Sequence, residues 1–179
     1  MSFVCEPLAI PDVLLISANR HDDERGFLAE TLHTSIFATF GIPPFVQENV
    51  SYSRAGVLRG LHVQVEPYAL GKLVRCARGR IFDVAVDVRR GSATFGRWVS
   101  LELDERALRM LWIPPGFAHG FLALSDAEVI YKQTGYHAPA HERAIAWNDP
   151  ALAIAWPRPD PILSAKDAAA PRLAEVLKF

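Results

Sequence analysis

The stretch Asp83-Val84-Ala85-Val86-Asp87-Val88 alternates valine with other residues at every position. Because successive side chains of a β-strand point to opposite faces, the three valines share one face and Asp83, Ala85 and Asp87 the other. Val99, Leu101 and Leu103 repeat the pattern after a Gly-Ser turn, and similar runs punctuated by Gly and Pro extend from about residue 46 to residue 136. Many short strands without long helices between them predict an antiparallel sandwich or barrel.

Helices are expected at only two places in this mostly β fold. One is a short helix near Thr34 to Phe40, which Gly41 and Pro43 end, and the other is a C-terminal helix after Ser164. The chain has 179 residues, a length that suits one domain, and we interpret residues 1–179 as a single domain with short peripheral helices.

Composition excludes several classes of function. The 19 Lys and Arg residues nearly balance the 20 Asp and Glu residues without a basic run, which argues against nucleic acid as a partner. The sequence shows no signal peptide and no apolar stretch of membrane-spanning length, so we expect a cytoplasmic protein that does not bind a membrane. Cys5 and Cys76 lie far apart and support neither a disulfide framework nor a CxxC metal site.

The stretch Val57-Leu58-Arg59-Gly60-Leu61-His62-Val63-Gln64 is interpreted as a strand. Its period of two places His62 and Gln64 on the same face, which could line the inside of a barrel. Strict alternation would send Arg59 to the opposite face, unless a bulge at Gly60 turns it back. The sequence leaves both orientations of Arg59 open.

A second stretch, Pro114-Pro115-Gly116-Phe117-Ala118-His119-Gly120, has the Pro-x-Gly-x-x-His spacing and resembles the second motif of the cupins. That resemblance implies a jelly-roll barrel of two antiparallel sheets. Metal-binding cupins carry a His-x-His pair in their first motif, but Gln64 stands at the second of those positions, and an amide is a poor ligand for a divalent transition metal. We therefore predict no catalytic metal and no cofactor, and propose His62 as a general base.

Nearly the whole chain, from Ile10 to Asp167, resembles the dTDP-4-dehydrorhamnose 3,5-epimerase family. No single tetrapeptide is decisive, but the number and order of the matching segments are specific. They are Asp23–Phe27, Val57–His62, Gly71–Arg75, Asp83–Asp87, Trp112–Pro114, Gly116–Phe121 and Trp147–Pro150.

The resemblance implies an epimerase that converts dTDP-4-dehydro-6-deoxy-D-glucose to dTDP-4-dehydro-L-rhamnose by deprotonation and reprotonation at C3 and C5. It implies His62 as the base, Asp167 as the carboxylate that orients it, Lys72 beside the enolate oxygen and Tyr131 as the acid on the opposite face. From the residues alone, Ser164 to Asp167 is also a capping box that opens the last helix, and a strand tyrosine more often packs its ring.

The resemblance also implies a set of substrate-binding residues, in which Tyr136 stacks on the thymine and the cations meet the diphosphate. His119 either binds the sugar or fills the barrel. The set is Arg25, Glu30, Gln47, Asn49, Arg59, Lys72, His119, Tyr136, Glu142 and Lys166.

Two other functions stay open at this stage. Four positions depart from the common pattern of the family, namely Glu48, Val63, Leu70 and His137. They leave the catalytic residues unchanged, so a 3-epimerase or 5-epimerase of a related 4-keto-6-deoxy sugar nucleotide is the first alternative. The second is a non-catalytic cupin module that binds sugar nucleotides. The resemblance implies a homodimer as well.

Overall fold

The computed structural model describes residues 2–176. These residues form thirteen strands. In chain order they are β1 (Phe3–Pro7), β2 (Leu14–Ala18), β3 (Arg20–Asp23), β4 (Gly26–Ala29), β5 (Gln47–Ser53), β6 (Leu58–Gln64), β7 (Lys72–Arg78), β8 (Arg80–Asp87), β9 (Trp98–Asp104), β10 (Arg109–Ile113), β11 (Phe117–Ala123), β12 (Ala127–Gln133) and β13 (Glu142–Ala144).

Two antiparallel sheets face each other. One has six strands in the order β1-β2-β10-β7-β12-β5, and the other has five in the order β13-β6-β11-β8-β9. Strands β3 and β4 form a separate exposed hairpin. This arrangement confirms the predicted double-sheet antiparallel barrel.

The helices are short and peripheral, as predicted. Helix α1 (Thr34–Thr39) has His33 as its N-cap, and Phe40 is its C-cap. The segment after Ser164 differs from the single helix expected there, because α2 (Ala165–Ala168) and α3 (Leu173–Val176) are separate turns. Pro171 lies between them, has no backbone N–H and disfavours a helical residue before it. No helix within residues 2–176 is long and apolar enough to cross a membrane.

The main core lies between the two sheets and explains the alternation in β8. Ala85 points into this core, whereas Val84 and Val86 pack on the other face of the same sheet, beneath residues of the C-terminal segment such as Leu173. A third cluster joins Phe37 of α1 to the outer face of the six-stranded sheet. Since both faces of β8 are covered, its alternation separates two cores rather than core from solvent.

A bulge at Gly60 decides the orientation of Arg59. The pairing of β6 with β11 shifts by one residue, with His62 opposite His119 and Arg59 opposite Phe121. His119 and Phe121 are two residues apart on β11 and therefore share a face, the one that lines the cavity between the sheets. Residues that pair directly also share a face, so both Arg59 and His62 point inward. The bulge is therefore present, and strict alternation is wrong for Arg59.

The bulge depends on glycine for two reasons. Gly60 has a φ of +116°, and a Cβ atom there would lie 2.6 Å from the Cα of Gly120. We expect Gly60→Ala to lower the free energy of unfolding by at least about 3 kcal/mol, because backbone strain and a clash between backbones add together. Urea unfolding measures the change.

Gly91→Ala is the matched control, because Gly91 also has a positive φ of +81° but has nothing within 4 Å of an added Cβ atom. Gly91→Ala should lower the free energy of unfolding by about 1 kcal/mol, from backbone strain alone. Equal losses in the two variants would contradict the close approach of Gly60 to Gly120.

Candidate active site

A cavity of about 580 Å³ lies between the two sheets. Residues from both sheets and from the segment around α2 line it. It brings together most of the residues that the sequence predicts for the site, namely Gln47, Asn49, Arg59, His62, Lys72, His119, Tyr131, Glu142, Lys166 and Asp167.

His62 and Asp167 form a close pair of titratable groups on the cavity wall that carries β6. The Nε2 atom of His62 lies 2.6 Å from Oδ1 of Asp167, whose side chain is only 5% exposed. Burial by itself would raise the pKa of Asp167, but the hydrogen bonds from His62 and Ser164 hold it below its ordinary value. In the neutral ring, Nε2–H donates to this carboxylate, and the lone pair of Nδ1 is left for a proton.

The two roles considered for residues 164–167 are compatible. The Oγ atom of Ser164 accepts a hydrogen bond from the backbone N–H of Asp167, so Ser164 caps α2. The side chain of Asp167 contacts His62 instead of closing a reciprocal capping box. Helix α2 therefore carries its carboxylate to the base candidate.

Glu142 faces the other nitrogen of the same ring. Its Oε1 atom lies 3.7 Å from Nδ1 of His62, and its Oε2 atom accepts a hydrogen bond of 2.6 Å from Lys166. Burial would raise the pKa of Glu142, but Lys166 and His62 together lower it. Nδ1 is thus directed toward the cavity beside an ionised carboxylate.

Lys72 begins β7 and points into the cavity from the opposite, six-stranded sheet. Burial lowers the pKa of Lys72 from 10.5 to about 8, although Glu142 and Asp83 act in the opposite direction. An ammonium group in so enclosed a place interacts strongly with negative charge that develops near it.

Tyr131 lies on β12 of the six-stranded sheet and is directly paired with Asn49 and with Val74 on the neighbouring strands. Its side chain is partly buried, and burial raises the pKa of its phenol above the ordinary value, with Arg59 opposing. Tyr131 remains a proton donor throughout the neutral range. It stands on the opposite cavity wall from His62, which β6 of the five-stranded sheet carries.

His119 is held by Asp83, a partner that was not expected from the sequence. Its Nε2 atom lies 2.5 Å from Oδ1 of Asp83, which is fully buried on β8. The other oxygen of Asp83 has no hydrogen-bond partner among residues 2–176. The available indication was the carboxylate of Asp83 within the apolar run Ile81–Val86, because buried acids need partners.

The remaining polar residues form a network along β5. Arg59 donates to Oγ of Ser53 and to the backbone carbonyl of Tyr52. On the same strand, Gln47 donates to Asn49, which donates in turn to the buried Gln133. No motif in the sequence marks Gln133 as part of this network.

Three predicted binding residues do not line the cavity of their own chain. Arg25 is an exposed residue in the turn of the β3–β4 hairpin, where it pairs with Asp23, and Glu30 follows the same hairpin. Tyr136 lies next to the cavity residue His137 but is itself 71% exposed.

The described residues offer no cluster of three or more His, Cys, Asp or Glu side chains that could hold a metal ion. Gln64 uses its amide on backbone groups, donating to the carbonyls of Tyr68 and Tyr136. The metal-free site stays a prediction.

Comparison with known proteins identifies the family. Residues 7–175 match the family model described as dTDP-4-dehydrorhamnose 3,5-epimerase. A relative of that name from Pseudomonas aeruginosa is 54% identical over 164 residues, which cover 89% of this chain and 90% of the relative.

Solved structures agree with this match. An epimerase from Legionella pneumophila, in complex with dTDP-4-keto-L-rhamnose, is 45% identical in sequence to this chain. The two structures superpose with a TM-score of 0.93 over 96% of this chain and 93% of the Legionella chain. A 3′-monoepimerase from Streptomyces bikiniensis, in complex with dTDP-quinovose, is 38% identical with a TM-score of 0.89, covering 94% and 87%.

The structural neighbours have the cupin fold, which confirms the fold predicted from the Pro-x-Gly-x-x-His spacing. Match, identity and shared fold lead to one conclusion. The chain belongs to the dTDP-4-dehydrorhamnose 3,5-epimerase family, whose members are isomerases that act on carbohydrates.

Proposed function

We propose that this cavity inverts C3 and C5 of dTDP-4-dehydro-6-deoxy-D-glucose and that His62 is the base. The observation that carries the proposal is the pairing of His62 with the buried Asp167 on one wall, with Tyr131 on the other. A base and an acid on opposite sides of a bound sugar are what inversion at carbon requires.

The reaction begins with removal of a proton beside the C4 ketone. The C–H electron pair passes to the ketone oxygen and forms an enolate, while Nδ1 of His62 takes the proton. Asp167 keeps the ring in the required tautomer and stabilises the imidazolium that results. The ammonium of Lys72 stabilises the negative charge on the enolate oxygen more than it stabilises the neutral ketone.

Inversion is completed when Tyr131 returns a proton to the same carbon from the opposite face. The electron pair of the enolate forms the new C–H bond, and the phenolate then recovers a proton from solvent as the imidazolium loses one. C3 and C5 both flank the C4 ketone, so the ketone acidifies the hydrogen on each carbon. One set of residues therefore serves both centres in succession.

The cations of the cavity suit a nucleotide diphosphate. Arg59 is already fixed by two hydrogen bonds to β5, which reduces the entropy lost when it binds an anion. Lys166 supplies a second positive charge near His62 through its contact with Glu142. The nucleotide sugar in the Legionella pneumophila neighbour supports this class of ligand.

A single-centre epimerase is the second candidate, because the 3′-monoepimerase from Streptomyces bikiniensis also resembles the chain. The two functions would share their catalytic residues and differ in how long the intermediate is held. A non-catalytic binding module would have no use for an acid opposite a base.

We further propose that the chain acts as a homodimer in the cytoplasm, where the thiols of Cys5 and Cys76 stay reduced. The β3–β4 hairpin exposes Phe27 by 50% and Leu28 by 75%. Apolar side chains on a protruding hairpin suit an interface between copies. A second copy would also bring Arg25 and Glu30 to a cavity.

The assignment of His62 predicts the result of an exchange experiment in heavy water. With chelator-treated protein and dTDP-4-keto-6-deoxy-glucose, NMR should show deuterium entering C3 and C5. His62→Ala should slow this exchange roughly a thousandfold, because it removes the base.

Tyr131→Phe is the matched control, since it removes one hydroxyl but leaves the base. It should permit exchange without inversion, because only His62 can then return the proton. Exchange at one carbon alone would favour the single-centre enzyme. A fully active His62→Ala variant, or no exchange in the unaltered protein, would overturn the assignment.

The pKa of Lys72 predicts the basic limb of the pH profile. Because the folded value is lowered to about 8, the ammonium predominates below that pH and is lost above it. We expect kcat/KM to fall about tenfold per pH unit above pH 8. Lys72→Arg should move the fall to higher pH, since a guanidinium stays charged. A flat profile up to pH 10 would contradict this role.

The dimer predicts the effect of a charge on the hairpin. Leu28→Asp should convert a dimer to a monomer in light scattering and raise KM, because Arg25 and Glu30 would be lost from the partner's site. Phe95→Ser, which removes another exposed apolar side chain, should change neither. A monomeric unaltered protein with full activity would reject the proposal.

A further inference from the structure

Residues 136–138 form a segment without regular secondary structure at the edge of the cavity. Three of its backbone groups bond to glutamine side chains. The carbonyl of Tyr136 and the N–H of Ala138 bond to Gln64, and the N–H of His137 bonds to Gln47. Gln64 lies on β6 and Gln47 on β5, so the two sheets hold the segment from opposite sides.

The amide of Gln64 is oriented by its partners. Its Nε2 atom donates to the carbonyl of Tyr68 at 2.5 Å and to that of Tyr136 at 3.1 Å, and Oε1 accepts from the N–H of Ala138 at 2.8 Å. The reverse orientation would turn an oxygen toward two carbonyl oxygens. A primary amide has two N–H donors, and both are occupied.

Gln64 is therefore unsuited to donate to a ligand, although its side chain lines the cavity. The side chain is also buried, with 7% exposed, so loss of its hydrogen bonds would leave polar backbone groups without partners. Its contacts all fix other parts of the chain, one in the loop at Tyr68 and two in the segment that begins with Tyr136.

Gln47 completes the arrangement from the other sheet. Its Oε1 atom accepts from the N–H of His137, while its Nε2 atom donates to Asn49. Asn49 is itself held by the buried Gln133. The position of His137 is thus linked through three amide side chains to the neighbouring strand β12.

We propose that Gln64 is a positioning residue for the nucleotide end of the site. It holds the segment 136–138 so that Tyr136 stands at the mouth of the cavity, ready to stack on the base. The identity of the ligand rests on the proposed function. The hydrogen bonds by which Gln64 holds the segment 136–138 do not. Gln64 thus occupies a position where metal-binding cupins have a ligand and acts there through backbone hydrogen bonds.

Gln64→Met tests the proposal, because methionine has a similar length and none of the three hydrogen bonds. We expect Kd for dTDP and KM for the nucleotide sugar to rise about tenfold, with kcat within about twofold of the unaltered enzyme. Calorimetry with dTDP and steady-state kinetics measure the two effects. Hydrogen exchange of the ligand-free protein should also show faster exchange of the His137 and Ala138 amides.

Val86→Ala is the control for general destabilisation. Val86 is fully buried on the outer face of β8 and does not line the cavity. The variant should unfold at a lower temperature while Kd, KM and the exchange of the two amides stay unchanged.

Four results would each count against one of the two proposals. Unchanged Kd for dTDP in Gln64→Met would overturn the positioning role, and so would a loss confined to kcat. Unchanged exchange of the His137 and Ala138 amides in Gln64→Met would show that Gln64 does not hold the segment 136–138. Failure of the unaltered protein to turn over the sugar would count against the proposed function only, since dTDP affinity and amide exchange would still test Gln64.

Discussion

The close approach of Gly60 to Gly120 is the constraint on which the site depends. A bulge in β6 can form there only because neither residue carries a side chain, and each added Cβ atom would lie less than 3 Å from the backbone of the other strand. The bulge turns Arg59 to the same side of the sheet as His62. Without it, the proposed anion-binding group and the proposed base would lie on opposite faces of one strand, which is the ordinary consequence of period-two geometry.

Charges inside the cavity are arranged in compensated groups. Asp167 is paired with His62, Glu142 with Lys166, and Asp83 with His119. Each buried or half-buried carboxylate therefore has a partner that offsets its desolvation. Lys72 has no such close partner within the hydrogen bonds and ion pairs of the described residues, and burial lowers its pKa. Its charge is left to interact with a substrate, as is that of Arg59, which bonds only to a hydroxyl and a backbone carbonyl. This accords with the proposed contact of Lys72 to an enolate.

The histidines of the two cupin-like motifs, His62 and His119, both line the cavity, and the first is the proposed base. Gln64 replaces a histidine of the first motif, and its amide joins loops that belong to neither sheet. His119 keeps the histidine of the second motif but is directed by Asp83. In this chain both positions therefore belong to a hydrogen-bonded network. For this reason the assignment of function depends on the residues of the site rather than on the barrel.

The sequence by itself indicated an antiparallel sandwich or barrel, because the alternation in stretches such as Asp83–Val88 has the period of a β-strand. The resemblance of the Pro-x-Gly-x-x-His stretch to a cupin motif then indicated the double-sheet barrel. The sequence also determined which residue types are available for proton transfer, and the resemblance carried by its motifs indicated most of the cavity residues. It could not decide the face of Arg59, because a bulge changes the register without changing the pattern. From the residues alone it could not join Asp167 to His62, a pairing that only the resemblance implied, and nothing in it joined Asp83 to His119. Each pair is separated widely along the chain and meets only when the elements pack. The tertiary structure decided those contacts, and with them the positions of Arg25 and Glu30 outside their own cavity, because distances between elements depend on packing and not on local propensity.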